Sequence, residues 1–253
     1  YKLWPYNVAA KTGELKGVII NSNSESTEMI LRFILRSTEA IARIKKAIPN
    51  LHKKHPALKV ITANIQATPH QIPEGEEEHI LSKEKYIWEK YAGIYSHLSP
   101  QCFSQVTPEV ATALYTYVQN IVRDTRPELV LDIFSGVGGF TLFTAKFAKK
   151  VIGLEYSSAA IKSAKLSAAR NKIENTLFNV GDAEEFLVNY KQDQPNMIIC
   201  NPPRRGLSKK IIDSIKNLKP KNFVYSSCNP ETLARDIAMI CDKYRLLSLA
   251  PFD

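Results

Sequence analysis

The chain has 253 residues, of which 44% are apolar and 23% charged, and its 34 lysines and arginines against 25 acids leave it at +9. That composition excludes collagen, a disordered chain and a disulfide scaffold, and no apolar run reaches the roughly 18–20 residues that a membrane span needs. The basic excess is shared by both halves and favours a polyanionic partner, with nucleic acid as the first candidate. None of the four cysteines, Cys102, Cys200, Cys228 and Cys241, stands in a CxxC pair, so no zinc or iron–sulfur site is expected in the chain itself. Free thiols fit a reducing, cytoplasmic compartment. The chain opens on tyrosine without a signal peptide and closes on Pro251-Phe252-Asp253 after the apolar run Leu246–Ala250. It is expected to be a piece of something longer.

Residues 1–98 read as a small α/β domain. Gly17–Asn21 and Glu28–Arg36 form two strands around the turn composition Ser22–Ser26. Ser37 or Thr38 caps a helix running to about Ala47, with Ile41, Ile44 and Ile48 on one face. Arg43, Lys45 and Lys46 lie opposite and read as a solvated face. Leu58–Ile65 is a third strand. Pro69, Pro73 and the acidic run Glu74–Glu78 read as a loop. Lys83–Tyr95, with Tyr86, Trp88 and Tyr91, fits helix or strand. Ser99-Pro100 is the expected boundary.

From residue 99 the rhythm changes. A helix over Pro108–Val122 is followed by apolar strands alternating with amphipathic helices: LVLDIF, then a helix from Gly139; VIGLE, then a helix from Ser157; TLFNV; MIIC; NFVYSS. This predicts a mostly parallel sheet covered on both faces, with ligands beyond the carboxyl ends of its strands.

Five motifs fall at those strand ends. Asp132-Ile133-Phe134-Ser135-Gly136-Val137-Gly138-Gly139 ends one strand and opens a helix whose buried face is Phe140, Phe143 and Phe147. Its spacing does not meet the dinucleotide fingerprint G-x-G-x-x-G. Glu155 ends the next strand, where a carboxylate can accept both ribose hydroxyls of a nucleoside, or partner the following helix N-terminus. Asp182, after the third, can meet an adenine rim or cap the next helix. A glycine turn followed by two acids at successive strand ends resembles the class I S-adenosylmethionine-dependent methyltransferase fold. The fourth motif is Asn201-Pro202-Pro203-Arg204-Arg205, where two prolines fix an extended loop with open carbonyls. Methyltransferases acting on exocyclic amines use a similar loop, usually followed by an aromatic where this chain has arginine. The fifth is Tyr225-Ser226-Ser227-Cys228-Asn229-Pro230. It offers Cys228 as a nucleophile facing the crevice, against the reading of a small core residue. Cys200, Cys102 and Cys241 are read as core.

The last two motifs, with Pro100-Gln101-Cys102-Phe103-Ser104-Gln105-Val106-Thr107-Pro108 before them, resemble the RNA (uracil-C5)-methyltransferase family. Residues 1–98, through Tyr6-Asn7-Val8, Gly13–Lys16 and Met29–Phe33, look most like its 23S ribosomal RNA branch. The resemblance implies that Gln105, Phe134, Glu155 and Asn201 contact S-adenosylmethionine, with Gly136 and Asp182 as weaker additions. It implies Cys228 as nucleophile, ribosomal RNA as substrate, an RNA-contacting domain over 1–98 and a methyltransferase domain over 99–253. It also implies a general-base glutamate beyond Asp253, and [4Fe-4S] cysteines only in a segment before Tyr1. A monomer is the expected state.

The chemistry explains the thiol. C5 of uracil is a poor nucleophile. Thiolate addition at C6 makes an enolate that pushes electron density onto C5, which then takes the methyl group. A base removes the C5 proton and the thiol is expelled. Cysteine suits both addition and departure. Arg204 or Arg205 can lower the thiol pKa, bind phosphate or steady the enolate. Three other readings stay open: a transfer RNA uracil-C5 methyltransferase, an amino-group methyltransferase, and a non-catalytic RNA-binding fragment.

Overall fold

The structure is a computed structural model that describes residues 2–68, 74–102, 105 and 107–253. The chain divides into two compact units, Tyr1–Lys90 with His97–Gln101, and Tyr91–Ser96 with Cys102–Asp253.

The first unit is built on a four-stranded sheet of order β1-β2-β3-β4, formed by Leu15–Ser22, Met29–Leu35, Leu58–Ile65 and Glu77–Ile80. β1 and β2 make the expected antiparallel pair, and β2 runs parallel to β3 through a helical crossover. Ser37 caps a single 3-10 turn that leads into α1, Ile41–Lys54. α1 runs past the expected end at Ala47 and carries Pro49 inside it. Proline removes one backbone donor there. The helix persists because Ile44 is sealed and Ile41, Ile48 and Leu51 pack with Leu35, Ile61 and Ala63.

The acidic run is not all loop. Pro69 and Pro73 lie outside the described residues, but Glu77–Ile80 is a strand antiparallel to β3. Glu78 is sealed, its side chain 4% exposed, against Arg32 at 2.7 Å. The ambiguous stretch resolves as strands β5, Ile87–Tyr91, and β6, Ile94–Leu98. Ala92 and Gly93 between them both have positive φ, which suits the tight turn of a hairpin. Short alternation with aromatics fits helix and strand equally; this turn decides it.

The second unit is a five-stranded parallel sheet of order β11-β10-β7-β8-β9. Its strands are Leu129–Ile133 (β7), Lys150–Glu155 (β8), Thr176–Val180 (β9), Met197–Cys200 (β10) and Asn222–Tyr225 (β11). Side chains alternate across such a sheet. Leu131, Ile133, Leu154, Ile198 and Cys200 pack on α5 (Ala183–Val188), α6 (Lys209–Leu218) and α7 (Pro230–Ile240). Val130, Val151, Met197 and Ile199 pack on α2 (Pro108–Thr125) and α3 (Gly139–Thr144). α4 (Ser158–Arg170) covers Phe178 of β9. Chain order reverses between β7 and β10, so the ligand crevice is expected outside their carboxyl ends.

Of the cysteines, Cys200 is buried in β10 and Cys102 is half-buried. Cys241 is exposed at the end of α7, which corrects the core reading. Its thiol donates to the Ala238 carbonyl at 3.2 Å, a polar exit at the helix terminus. No helix of the described residues is long and apolar enough to cross a membrane.

Candidate active site

The loop after β7 sets the floor of the crevice. Phe134 stands at φ +64°, a conformation that bulky residues avoid. It is held by its neighbours: the Ser135 amide donates to the Leu154 carbonyl and the Gly138 amide to that of Ser135. Gly136, at φ +54°, has nothing within 4 Å of where a Cβ would sit. Its amide donates to Glu155 Oε2 at 3.1 Å, and the Ser157 amide donates to Oε1 at 2.9 Å. Glu155 therefore serves both the glycine turn and the start of α4, and each oxygen keeps a lone pair for a further donor. Ser135 Oγ is buried without a protein partner among the described residues.

Below this floor lies Asp132, fully sealed in the sheet. Its Oδ2 accepts from the Thr141 amide and hydroxyl at 2.9 and 2.6 Å, whereas Oδ1 has no partner among the described residues. Burial pushes its carboxyl up to about 7. The bonds from Thr141 oppose that rise, and the nearby Glu155 charge adds to it.

Asp182 is exposed and caps α5, with Oδ1 accepting from the Glu184 and Glu185 amides at 2.9 and 3.0 Å. Of its two sequence readings, the cap is observed. The residue nonetheless lines a cavity of about 370 Å³ together with Phe134, Ala183, Pro203, Leu207 and Arg235. Gln105 is half-buried; Phe103, Ser104 and Val106 of its motif lie outside the described residues.

Two loops close the other side. Asn201 follows β10 and is half-buried; Pro202 is buried, and Pro203, Arg204 and Arg205 are exposed. Cys228 is exposed on the loop after β11. Next to it, Asn229 caps α7 and its Nδ2 donates to the Arg204 carbonyl at 3.1 Å. The thiol is thus outside the hydrophobic interior, and its loop is tied to the Asn201–Arg205 loop. Cys200, by contrast, is held protonated by burial, with the charges of Asp132 and Asp236 adding to the effect.

Sequence reasoning missed Asp236. It is 2% exposed on α7. The signal was a carboxylate in the stripe Leu233, Asp236, Ile237, Ile240, where helical spacing asks for an apolar residue.

A five-stranded parallel sheet with a glycine turn, an acid at each of the next two strand ends and a crevice at the reversal defines the class I S-adenosylmethionine-dependent methyltransferase fold. The solved tRNA (uracil-54, C5)-methyltransferase of Pyrococcus abyssi, in complex with S-adenosyl-L-homocysteine, superposes with a TM-score of 0.73 at 25% identity, over 93% of this chain and 55% of that one. The family model for tRNA (Uracil-5-)-methyltransferase matches residues 75–253, and the chain belongs to that family. It is 40% identical over 251 residues to the 23S rRNA (uracil(747)-C(5))-methyltransferase RlmC of Xenorhabdus bovienii, covering 99% of this chain and 66% of that protein. It is 40% identical over 235 residues to RlmC of Escherichia coli strain K12, covering 93% of this chain and 62% of that protein. The chain thus spans just under two thirds of the length of these relatives.

Proposed function

We propose that this chain carries the methyl-donor and uracil sites of an RNA methyltransferase that methylates C5 of a uridine in 23S ribosomal RNA. The observation that carries the reading is the exposed Cys228, on a loop bonded to the Asn201–Arg205 loop at the mouth of a methyltransferase crevice. The donor set suits S-adenosylmethionine: open space over Gly136, spare acceptor capacity on Glu155 for ribose hydroxyls, and an unpartnered Ser135 hydroxyl. That cofactor supplies an electrophilic methyl group on a sulfonium. Phe134, Gly136, Glu155 and Asn201 would hold it, with Asp182 and Gln105 as further contacts. Cys228 adds to C6 of the uracil and C5 becomes nucleophilic; after methylation a base takes the C5 proton, the C5–C6 double bond re-forms and the C6–S bond breaks to release the thiolate. The target base must first be unstacked, at a cost of a few kcal/mol.

The first unit adds electrostatic grip on the RNA. Lys45, Lys46, Lys53 and Lys54 are exposed on α1, which carries no acid. Such contacts orient a phosphate backbone without reading sequence.

The test uses the full-length protein and ribosomal RNA containing 5-fluorouridine. Fluorine cannot leave C5 as a proton does, so the thiol adduct accumulates. A denaturation-stable adduct in the unaltered protein, absent in Cys228→Ala while S-adenosylhomocysteine binding persists, is the expected result. Undiminished methylation by Cys228→Ala would overturn the thiol mechanism in favour of an amino-group acceptor.

A further inference from the structure

We infer that Asp236 and Arg235 of α7 are positioning residues that fix the Asn201–Arg205 loop against the Cys228 loop, so one helix sets the distance between nucleophile and crevice. The inference rests on the proposed role of Cys228.

The argument is an accounting of backbone groups. Residues 204–207 form no strand or helix, so their polar atoms need other partners. α7 and its cap supply them. The Arg204 carbonyl accepts from Asn229 Nδ2 at 3.1 Å and Thr232 Oγ1 at 3.2 Å. The Arg205 carbonyl accepts from Arg235 Nη2 at 2.9 Å, and the Leu207 carbonyl from the same nitrogen at 3.4 Å. The Leu207 amide donates to Asp236 Oδ2 at 2.7 Å. Four side chains from one short stretch thus hold one short loop.

Asp236 joins that loop to the nucleophile. Its Oδ2 also accepts from the Tyr225 hydroxyl at 2.6 Å, and Tyr225 is the last residue of β11, three before Cys228. Its Oδ1 accepts from Arg235 Nε at 2.8 Å. Burial first, and then this bond to Asp236, push the Tyr225 phenol well above its ordinary range, so it remains a donor. The fit is close: Gly206 stands at φ +76°, and a Cβ there would lie 2.4 Å from Asp236 Oδ2 and 2.7 Å from Arg235 Nη2.

An ion pair with one partner sealed and the other half exposed is weak evidence for stability, because well-packed apolar residues hold a fold as well or better. Apolar residues could not bind Leu207 N, Arg205 O and Tyr225 Oη at once. The pair therefore supplies geometry, and geometry is what a thiol attacking a planar ring needs; a shift of about 1 Å can cost about 100-fold in rate.

The test compares full-length variants under single turnover with S-adenosylmethionine and ribosomal RNA. Asp236→Asn keeps an oxygen for Leu207 and Tyr225 but turns an amide toward Arg235. Arg235→Ala changes a half-exposed residue and keeps the fold accessible to the test even where the first variant folds poorly. Both are expected to slow methyl transfer and trapping on 5-fluorouridine RNA about 100-fold. Binding of S-adenosylhomocysteine and KM for RNA should stay within about twofold. Arg235→Lys, which can still reach one carbonyl, should recover part of the rate, and the double variant should be no slower than the single ones. Wild-type rates in Arg235→Ala, or losses of rate, cofactor affinity and melting temperature in equal proportion, would overturn the inference. No adduct in the unaltered protein would overturn the reading of Cys228 and this inference with it.

Discussion

Glu78 in the first unit and Asp132 in the second are both sealed from water, on opposite terms. Glu78 faces the Arg32 guanidinium through two bonds of 3.1 and 2.7 Å, and accepts from Asn64 at 2.9 Å and from the Thr62 hydroxyl. Burial by itself would raise its pKa; these donors more than reverse that and hold it below the ordinary carboxylate range. Asp132 has two donors from one threonine on a single oxygen and a like charge, Glu155, nearby. Removing one partner of a satisfied buried charge strands the other, whereas an under-satisfied one is lightened by losing its charge.

Removing Glu78 should be the most damaging change. Among the described residues, Glu78→Ala leaves Arg32, whose side chain is 4% exposed, with the more exposed Glu74 as its carboxylate partner. A loss of about 3–5 kcal/mol is expected in denaturant unfolding of the first unit's transition. S-adenosylhomocysteine affinity should not change, because no proposed donor-binding residue lies in that unit. The pH trend follows from the lowered pKa. The stabilisation is present above the unfolded carboxylate value and is lost as pH falls through the lower folded one. An unchanged unfolding midpoint would mean that the network is incidental to the fold.

The two regions also differed in how far they could be read from sequence. In the second unit every strand of the five-stranded sheet was legible, because β7, β8 and β10 are mostly apolar and buried on both faces. The glycine turn, Glu155, Asn201 and Cys228 were legible as strand-end residues, since a parallel sheet puts loops of one kind at one end. In the first unit Glu78 was hidden at the end of three consecutive acids, Glu76–Glu78, that read as solvated. Nothing local marks Arg32, 46 residues away in sequence, as its partner. Asp236 was hidden likewise: its partners are a loop amide and a phenol brought together only by the fold. Apolar period is local, but the pairing of buried charge is long-range.

Asp132→Asn should act in the opposite sense to the Glu78 change. The carboxyl is raised from 3.8 to about 7, so the folded protein keeps its proton after the unfolded chain has lost it. Between about pH 4 and 7 stability therefore falls as pH rises, by on the order of 3 kcal/mol across the window. Asparagine still accepts from Thr141 through its oxygen and carries no charge to bury. The variant should be more stable than the parent above pH 7, and its unfolding free energy should be flatter with pH through that window. Equal pH slopes in the two proteins would show that Asp132 is ionised without penalty.

Two glycines sharpen the contrast at smaller scale. Gly206 and Gly136 both have positive φ, yet the first is packed against Asp236 and the second faces open space. Gly206→Ala combines backbone strain with a contact no Cβ tolerates, so it should cost about 1–3 kcal/mol and slow methyl transfer by displacing the Leu207 amide from Asp236. Gly136→Ala incurs the strain alone, about 1 kcal/mol. Its added methyl enters the space assigned to the donor, so its effect should appear in S-adenosylhomocysteine affinity rather than in unfolding. Calorimetric titration of the two variants separates these outcomes: weaker binding in Gly206→Ala than in Gly136→Ala would mean that the donor does not lie over the turn after β7.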